Sequence, residues 1–189
     1  GTQTRPLTYL TFWLNLRVSD APWTFHLVSL LLHLICVWLA AIALEELLPL
    51  RAARLAAVLF AIHPLQTEAV AYVFARATLL ATLFCLVSLI LWWRHRRWWA
   101  VAAFALALLS KEEVAAFPVF LALLEWSTRR KREALGPLGV MVGLALASGL
   151  RAIYATAAIS GSGAGAQAGI GSFDYFSYQG VAILRYLWL

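Results

Sequence analysis

Charge is scarce in this chain: Asp, Glu, Lys and Arg make up 13% of its 189 residues, against about 25% in an ordinary soluble domain. Hydrophobic residues reach 63%, where a soluble domain carries about 45–50%, so a water-soluble core could not hide the apolar surface. The only cysteines, Cys36 and Cys85, sit inside apolar runs. Their spacing suits neither a zinc site nor a disulfide framework, which leaves them as packing residues. No internal repeat at a period of about 20–50 residues is evident, which argues against a solenoid or propeller. Segment 161–172 is rich in Gly, Ala and Ser, but no Gly-Lys-Ser/Thr follows and no βαβ context surrounds it, so it does not read as a nucleotide-phosphate loop. Also missing are an initiator methionine and a signal-peptide pattern, and the sequence stops inside the apolar run Val181 to Leu189. An internal piece of a longer protein is therefore expected.

What the chain does have is long apolar runs, at Trp23 to Leu44, Leu55 to Ile62, Leu79 to Trp93, Trp98 to Leu109, Val114 to Leu124 and Leu135 to Leu150. Several are membrane-span candidates, since crossing hydrocarbon takes about 20 mostly apolar residues in a helix. The net charge of +6 does not point to nucleic acid, because the basic residues fall between apolar runs and not on one polar face. Nine of the fifteen Lys and Arg lie in three clusters, Arg51 with Arg54, Arg94 with Arg96 and Arg97, and Arg129 to Arg132. The positive-inside rule puts these three loops in the cytoplasm.

That orientation sends the polar strings between the clusters outward. His63-Pro64-Leu65-Gln66-Thr67-Glu68 is one and Ser110-Lys111-Glu112-Glu113 is the other. Trp98 to Leu109 would rise only about 18 Å, short of the ~30 Å hydrocarbon core. A single long span through it would bury consecutive ionisable residues at mid-depth, at about 2.5–3.5 kcal/mol each, so a short hairpin reaching a water-filled cavity from the outer face is expected. Thr4 to Val18 carries Leu7, Leu10, Trp13 and Leu14 at near-helical spacing and reads as an amphipathic helix in the membrane interface. Asp20 and Pro22 then mark a helix start, with the first full span at Trp23 to Glu46. Residues 161–172 read as a flexible outer loop.

The expected fold class is all-α, a polytopic transmembrane helical bundle with short outer-side re-entrant or interfacial helices. Residues 1–21 would form the interfacial helix and 22–189 the bundle. The tryptophans at 92, 93, 98 and 99 flank a basic turn and read as an interfacial belt. His26, Ser29 and His33 fall near one stripe of the first span and read as an interhelical hydrogen-bonding face, since a metal pair would more naturally use i, i+4 spacing. No metal site is expected.

The polar groups that remain gather on the outer side: Arg5, His63, Glu68, Arg76, Lys111, Glu112 and Glu113, with Tyr72 near them. Such a mixed-charge group over an apolar bundle suits an anionic head group whose lipid tail lies among helices. Arg5, Arg76 and Lys111 could donate to a phosphate, while His63, Glu68 or Glu112 could orient them or bind hydroxyls. The alternative is that these groups neutralise one another and fix helix register.

Arg5-Pro6-Leu7-Thr8 followed by Thr-Phe-Trp-Leu-Asn, then Phe25-His26-Leu27-Val28, Leu32-His33, the string His63 to Val73 and Ser110-Lys111-Glu112 together resemble the transmembrane and tetratricopeptide-repeat (TMTC-like) O-mannosyltransferases and their bacterial relatives. Ile183 to Leu187 looks like a further block. The resemblance implies a GT-C membrane fold and transfer of a sugar, mannose among the candidates, from a polyprenyl-phosphate carrier to an acceptor hydroxyl on protein or glycan at the outer or luminal side. It implies tetratricopeptide repeats after the membrane part, and an acidic general base in an outer loop upstream of residue 1, so that the piece alone would be inactive. Where the family reads Gly-Arg-Ala-Asp, this chain has Ala75-Arg76-Ala77-Thr78, and Thr78 replaces an acid. No cofactor is required beyond the lipid-linked sugar, with a divalent metal left open, and no nucleic acid partner is expected. Compact loops favour a bacterial inner membrane over an endoplasmic reticulum membrane. The rival readings are a transporter or lipid flippase, whose charges would line a path, and a membrane scaffold without substrate.

Overall fold

The computed structural model describes residues 5–127, 135–158, 177–181 and 185. The basic cluster at 129–132, the segment 161–172 and, Arg185 apart, the block 183–187 lie outside them. The chain divides into two compact units, residues 1–151 and 152–189. The described part of the second holds the last residues of the helix begun at Leu135 and a helical run at 177–181.

Among the described residues every regular element is helical. The helices are α1 (Pro6–Val18), α2 (Pro22–Glu45), α3 (Leu50–Ile62), α4 (Gln66–Ala71), α5 (Arg76–Trp93), α6 (Arg97–Ser110), α7 (Phe117–Ser127) and α8 (Leu135–Ala158), with 3-10 turns at Val73–Ala75 and Glu112–Ala116. Three stretches are long and apolar enough to cross a membrane: Pro22–Glu45, Val73–Trp93 and Leu135–Tyr154. This is the all-α, polytopic architecture that the apolar runs imply. Pro6 and Pro22 open α1 and α2, where a missing N–H costs nothing and the fixed φ favours the helix. Asp20 makes no cap; Ser19 Oγ accepts the Ala21 N–H and the Thr24 hydroxyl donates to Ala21 O. Large apolar side chains of α2, such as Trp23, Leu27, Leu34 and Trp38, point outward, as they must on a helix whose surroundings are hydrocarbon.

The core lies toward the basic ends of the helices, where Leu89 and Trp92 of α5, Val101 and Phe104 of α6, Leu121 of α7 and Met141 of α8 pack together. Two hairpins surround it. Ser88 Oγ donates to Ala100 O at 2.9 Å and Lys111 Nζ to Thr78 Oγ1 at 3.0 Å, so α5 and α6 run antiparallel in one register. Phe104 stacks on Phe117 with ring centroids 5.8 Å apart, and Arg97 pairs with Glu125 at 2.7 Å, which makes α6 and α7 the short hairpin expected from the sequence. The tryptophans divide: Trp98 and Trp99 are exposed, but Trp92 and Trp93 belong to the core. The belt therefore holds two of the four, because the face of α5 bearing Trp92 and Trp93 is covered by its neighbours and Trp92 Nε1 donates to Glu125 Oε1 at 3.0 Å.

Three helix ends opposite the basic ones come to one level. His33 Nε2 lies 3.2 Å from Ala61 O, which sets the end of α3 beside His33. Cys36 Sγ reaches Leu79 O at 3.5 Å, which sets the start of α5 at the same height. The Lys111–Thr78 bond adds the end of α6. From there α2 continues about 16 Å further from the basic ends, to Pro22, at 1.5 Å per residue. Measured from Arg51 and Arg97, α3 and α6 rise only about 17 and 20 Å, less than the ~30 Å hydrocarbon thickness. A recessed polar floor results.

Candidate functional site

α1 crosses this floor with its polar side down. Thr8 and Asn15 are buried, whereas Tyr9, Leu10, Trp13 and Leu14 are exposed. A helix forms where Thr4 to Val18 led one to expect it, though its apolar residues are only weakly segregated to one side, and the stripe Thr8, Thr11, Asn15, at helical spacing, is the one that docks. Thr8 Oγ1 donates to Ser110 O at 3.0 Å at the end of α6, and Asn15 Nδ2 donates to Thr24 Oγ1 at 2.9 Å on α2.

Those anchors bring Arg5 to the 3-10 turn after α6. Its guanidinium grips Glu112 with two bonds, Nε to Oε2 at 3.2 Å and Nη2 to Oε1 at 2.9 Å, and both side chains stay about one-third exposed, 34% and 32%. The bidentate contact with Arg5 holds the Glu112 carboxyl below its ordinary value, against the desolvation that opposes it, and the same contact raises the Arg5 guanidinium. Next in sequence, the Lys111 ammonium donates to Thr78 Oγ1 at 3.0 Å and pairs with Glu113 Oε2 at 2.8 Å. An ammonium has three N–H groups and a guanidinium five, so both cations keep donors beyond these contacts.

Arg76 is placed differently from what a phosphate donor would need. Its side chain is fully buried. Nη2 donates to Asn15 Oδ1 at 3.1 Å and to Phe25 O at 2.9 Å, Nη1 approaches Thr11 O at 3.5 Å, and the guanidinium lies over Phe12 and Phe25 at 4.5 and 5.5 Å. Among the described residues it meets no carboxylate, and its Nε has no acceptor. The guanidinium joins α1, α2 and α5 through neutral dipoles and ring faces, and leaves no side open to a ligand.

His63, in the α3–α4 connection, and Glu68, in the first turn of α4, are exposed. His63 Nδ1 accepts the Leu65 N–H at 3.2 Å. Among the described residues, neither is bonded to Arg5, Lys111 or Glu112. The residues singled out from the sequence thus divide into a charged group (Arg5, Lys111, Glu112 with Glu113), a buried tie (Arg76) and two exposed residues elsewhere, His63 before α4 and Glu68 within it. Of the stripe expected to hydrogen-bond between helices, among the described residues only His33 does so, to Ala61 O; Ser29 is buried with its hydroxyl unpartnered and His26 is exposed. What the sequence reading missed is Asn15 and Thr8, whose signal was their placement opposite Leu10, Trp13 and Leu14. It also left Thr78 without a role, and the structure makes it the partner of Lys111.

No family model matches the chain, and no solved structure matches it. Relatives do. "Protein O-mannosyl-transferase Tmtc2" of Drosophila melanogaster is 45% identical over 97 residues, half of this chain (50%). "Protein O-mannosyl-transferase TMTC3" of Mus musculus is 40% identical over 85 residues, 44% of the chain, and "Protein O-mannosyl-transferase TMTC4" of Homo sapiens is 42% identical over 100 residues, again 44%. The matches cover only 10%, 9% and 14% of those relatives' own lengths. All three are animal proteins, and the bacterial inner membrane favoured by the compact loops gains no support from them. Over about half of its length this chain is homologous to the TMTC-type protein O-mannosyltransferases.

Proposed function

We propose that this chain is the donor-binding part of a membrane glycosyltransferase that moves a sugar, mannose by the relatives' names, from a polyprenyl-phosphate carrier to a hydroxyl of a protein acceptor. The observation that carries the reading is the pair of cations on the recessed floor, Lys111 and Arg5, each held by a carboxylate and each with N–H groups left to give. A carrier whose tail runs among helices would bring its phosphate to about this depth.

In the transfer, the acceptor oxygen forms a bond to the anomeric carbon while the bond from that carbon to the phosphate oxygen breaks. The electron pair leaves with the polyprenyl phosphate, and the acceptor's proton goes to a base that these residues do not supply. Lys111 and Arg5 meet the charge that grows on the leaving phosphate, stabilisation that is stronger in the transition state than in the ground state. Glu112 and Glu113 fix the two cations in place. Arg76 is a positioning residue: by tying α1 to α2 and α5 it sets Arg5 over the floor.

The test is sugar transfer by the full-length protein in lipid, supplied with radiolabelled polyprenyl-phosphate mannose and followed into protein. Lys111→Ala should lower the rate by about two to three orders of magnitude, the usual effect of removing one donor to a developing anion, with membrane insertion unchanged. Turnover at the wild-type rate in Lys111→Ala would overturn the phosphate assignment. Passage of intact carrier lipid across the bilayer, without transfer, would replace the glycosyltransferase by a flippase.

A further inference from the structure

At the helix ends opposite Lys111 and Glu112, the basic turn between α5 and α6 is tightly closed. Arg96 N–H donates to Leu91 O at 2.9 Å and His95 N–H to Trp92 O at 3.2 Å, the pair of bonds that ends a helix with one residue in the left-handed conformation. That residue is His95, at φ 59°, the only non-glycine with positive φ among the described residues. Glycine adopts this conformation without steric cost and an L side chain does not. Closing the turn therefore calls for glycine, and the imidazole there needs another reason.

Arg94, His95 and Arg96 are all exposed, and among the described residues no carboxylate pairs with their side chains. Arg97 is already engaged: it pairs with Glu125 and its guanidinium lies over the Trp92 ring at 4.9 Å. Just beyond it, Trp98 and Trp99 are exposed. The stretch Val73–Trp93 is long and apolar enough to cross a membrane, so a span ending at Trp93 delivers the next three residues to the head-group layer, where exposed indoles also settle. Two guanidiniums at that depth match phosphate oxygens in fork geometry. A choline or ethanolamine head group would bring its own cation against them, whereas a glycerol head group would not.

We propose that the α5–α6 turn is a binding site for an anionic phospholipid of the adjoining leaflet. Arg94 and Arg96, held two residues apart by the closed turn, donate to the head-group phosphate. His95 gives a ring N–H to the same head group, and Trp98 and Trp99 lie against the glycerol and the upper acyl chains. The site is separate from the sugar donor and does not depend on the donor reading.

The experiment is native mass spectrometry of the full-length protein titrated with phosphatidylglycerol or with phosphatidylcholine of the same chains. One variant carries Arg94→Gln with Arg96→Gln. A second carries Arg51→Gln with Arg54→Gln, the same loss of charge at exposed positions of α3, and a third carries His95→Gly. One arginine at a membrane surface is worth about fivefold in affinity for an anionic lipid, so the turn pair should lose at least about tenfold for phosphatidylglycerol. The α3 pair should lose clearly less, and binding of phosphatidylcholine should not change. His95→Gly should melt at a higher temperature, its left-handed residue relieved, and yet bind phosphatidylglycerol more weakly. Equal losses in the two arginine pairs would reduce the effect to overall surface charge and overturn the site, as would equal binding of the two lipids by the wild-type protein. Inorganic phosphate held as tightly as phosphatidylglycerol would make the occupant a soluble anion and overturn the lipid assignment.

Discussion

The Lys111 ammonium lies 3.0 Å from the Thr78 hydroxyl. A hydroxyl accepts a hydrogen bond from the ammonium without cancelling its charge, and the carboxylate paired with Lys111, Glu113, is 68% exposed. Thr78→Asp would place a second carboxylate on the same nitrogen. The expected outcome is weaker binding of polyprenyl phosphate, by about tenfold, with a gain in thermal stability of no more than about 1 kcal/mol, as for other part-exposed ion pairs. Nanodisc binding and a melting curve on the same preparation check both parts.

The Arg5–Glu112 pair makes stability depend on acid. Because Arg5 holds the Glu112 carboxyl below its ordinary value of 4.5, the ionised form is favoured in the folded protein. Its contribution is fully present above that value and is lost as pH falls through the lower folded one. Melting in detergent from about pH 6 down to about pH 3 should show a fall that Glu112→Gln removes. An acid limb of equal size in Glu112→Gln would assign the loss to other carboxylates.

Asn15 is expected to matter more to folding than its place on an outer helix suggests. Asn15→Leu strips the Arg76 guanidinium of a 3.1 Å acceptor in a fully buried site, and an unmet buried donor costs about 1–3 kcal/mol, more where it is charged. Leu10→Ala, on the exposed side of the same helix, should cost less than about 0.5 kcal/mol. Chemical denaturation of both variants in one detergent gives the comparison, and equal costs would contradict the docking of α1 by its polar side.

At the opposite ends of the helices, Glu125 accepts from Arg97 at 2.7 Å and from Trp92 Nε1 at 3.0 Å, with the two charged side chains only 13% and 16% exposed. Removing one partner of such a pair strands the other, so Glu125→Ala should destabilise by about 3–5 kcal/mol. Trp99→Ala, two residues from Arg97 but exposed, should fall within about 0.5 kcal/mol of wild type. Thermal unfolding checks the pair.

Much of the fold was legible because hydrocarbon imposes a length and a composition on any helix that crosses it. The apolar runs mark α2, α5 and α8, and the shortness of Trp98 to Leu109 already implied the α6–α7 hairpin. Arg5, Lys111 and Glu112 could be named as candidates because charge is costly in such a chain and therefore conspicuous. Their pairing could not be read, since Arg5 and Glu112 are 107 residues apart and no local pattern says which distant groups will meet.

The sequence by itself determined that this is a membrane protein, which ends of its helices are basic and which residue types could meet a phosphate, because each follows from composition and spacing along one chain. Tertiary structure alone decided what those residues do. Arg76 and Lys111 are both lone cations near helix ends in the sequence, yet packing buries Arg76 among carbonyls and aromatic rings and leaves Lys111 beside an exposed carboxylate. Burial and hydrogen-bond partners depend on which helices are neighbours, and for α1, α2, α5 and α6 that neighbourhood is set by contacts between residues far apart in the chain.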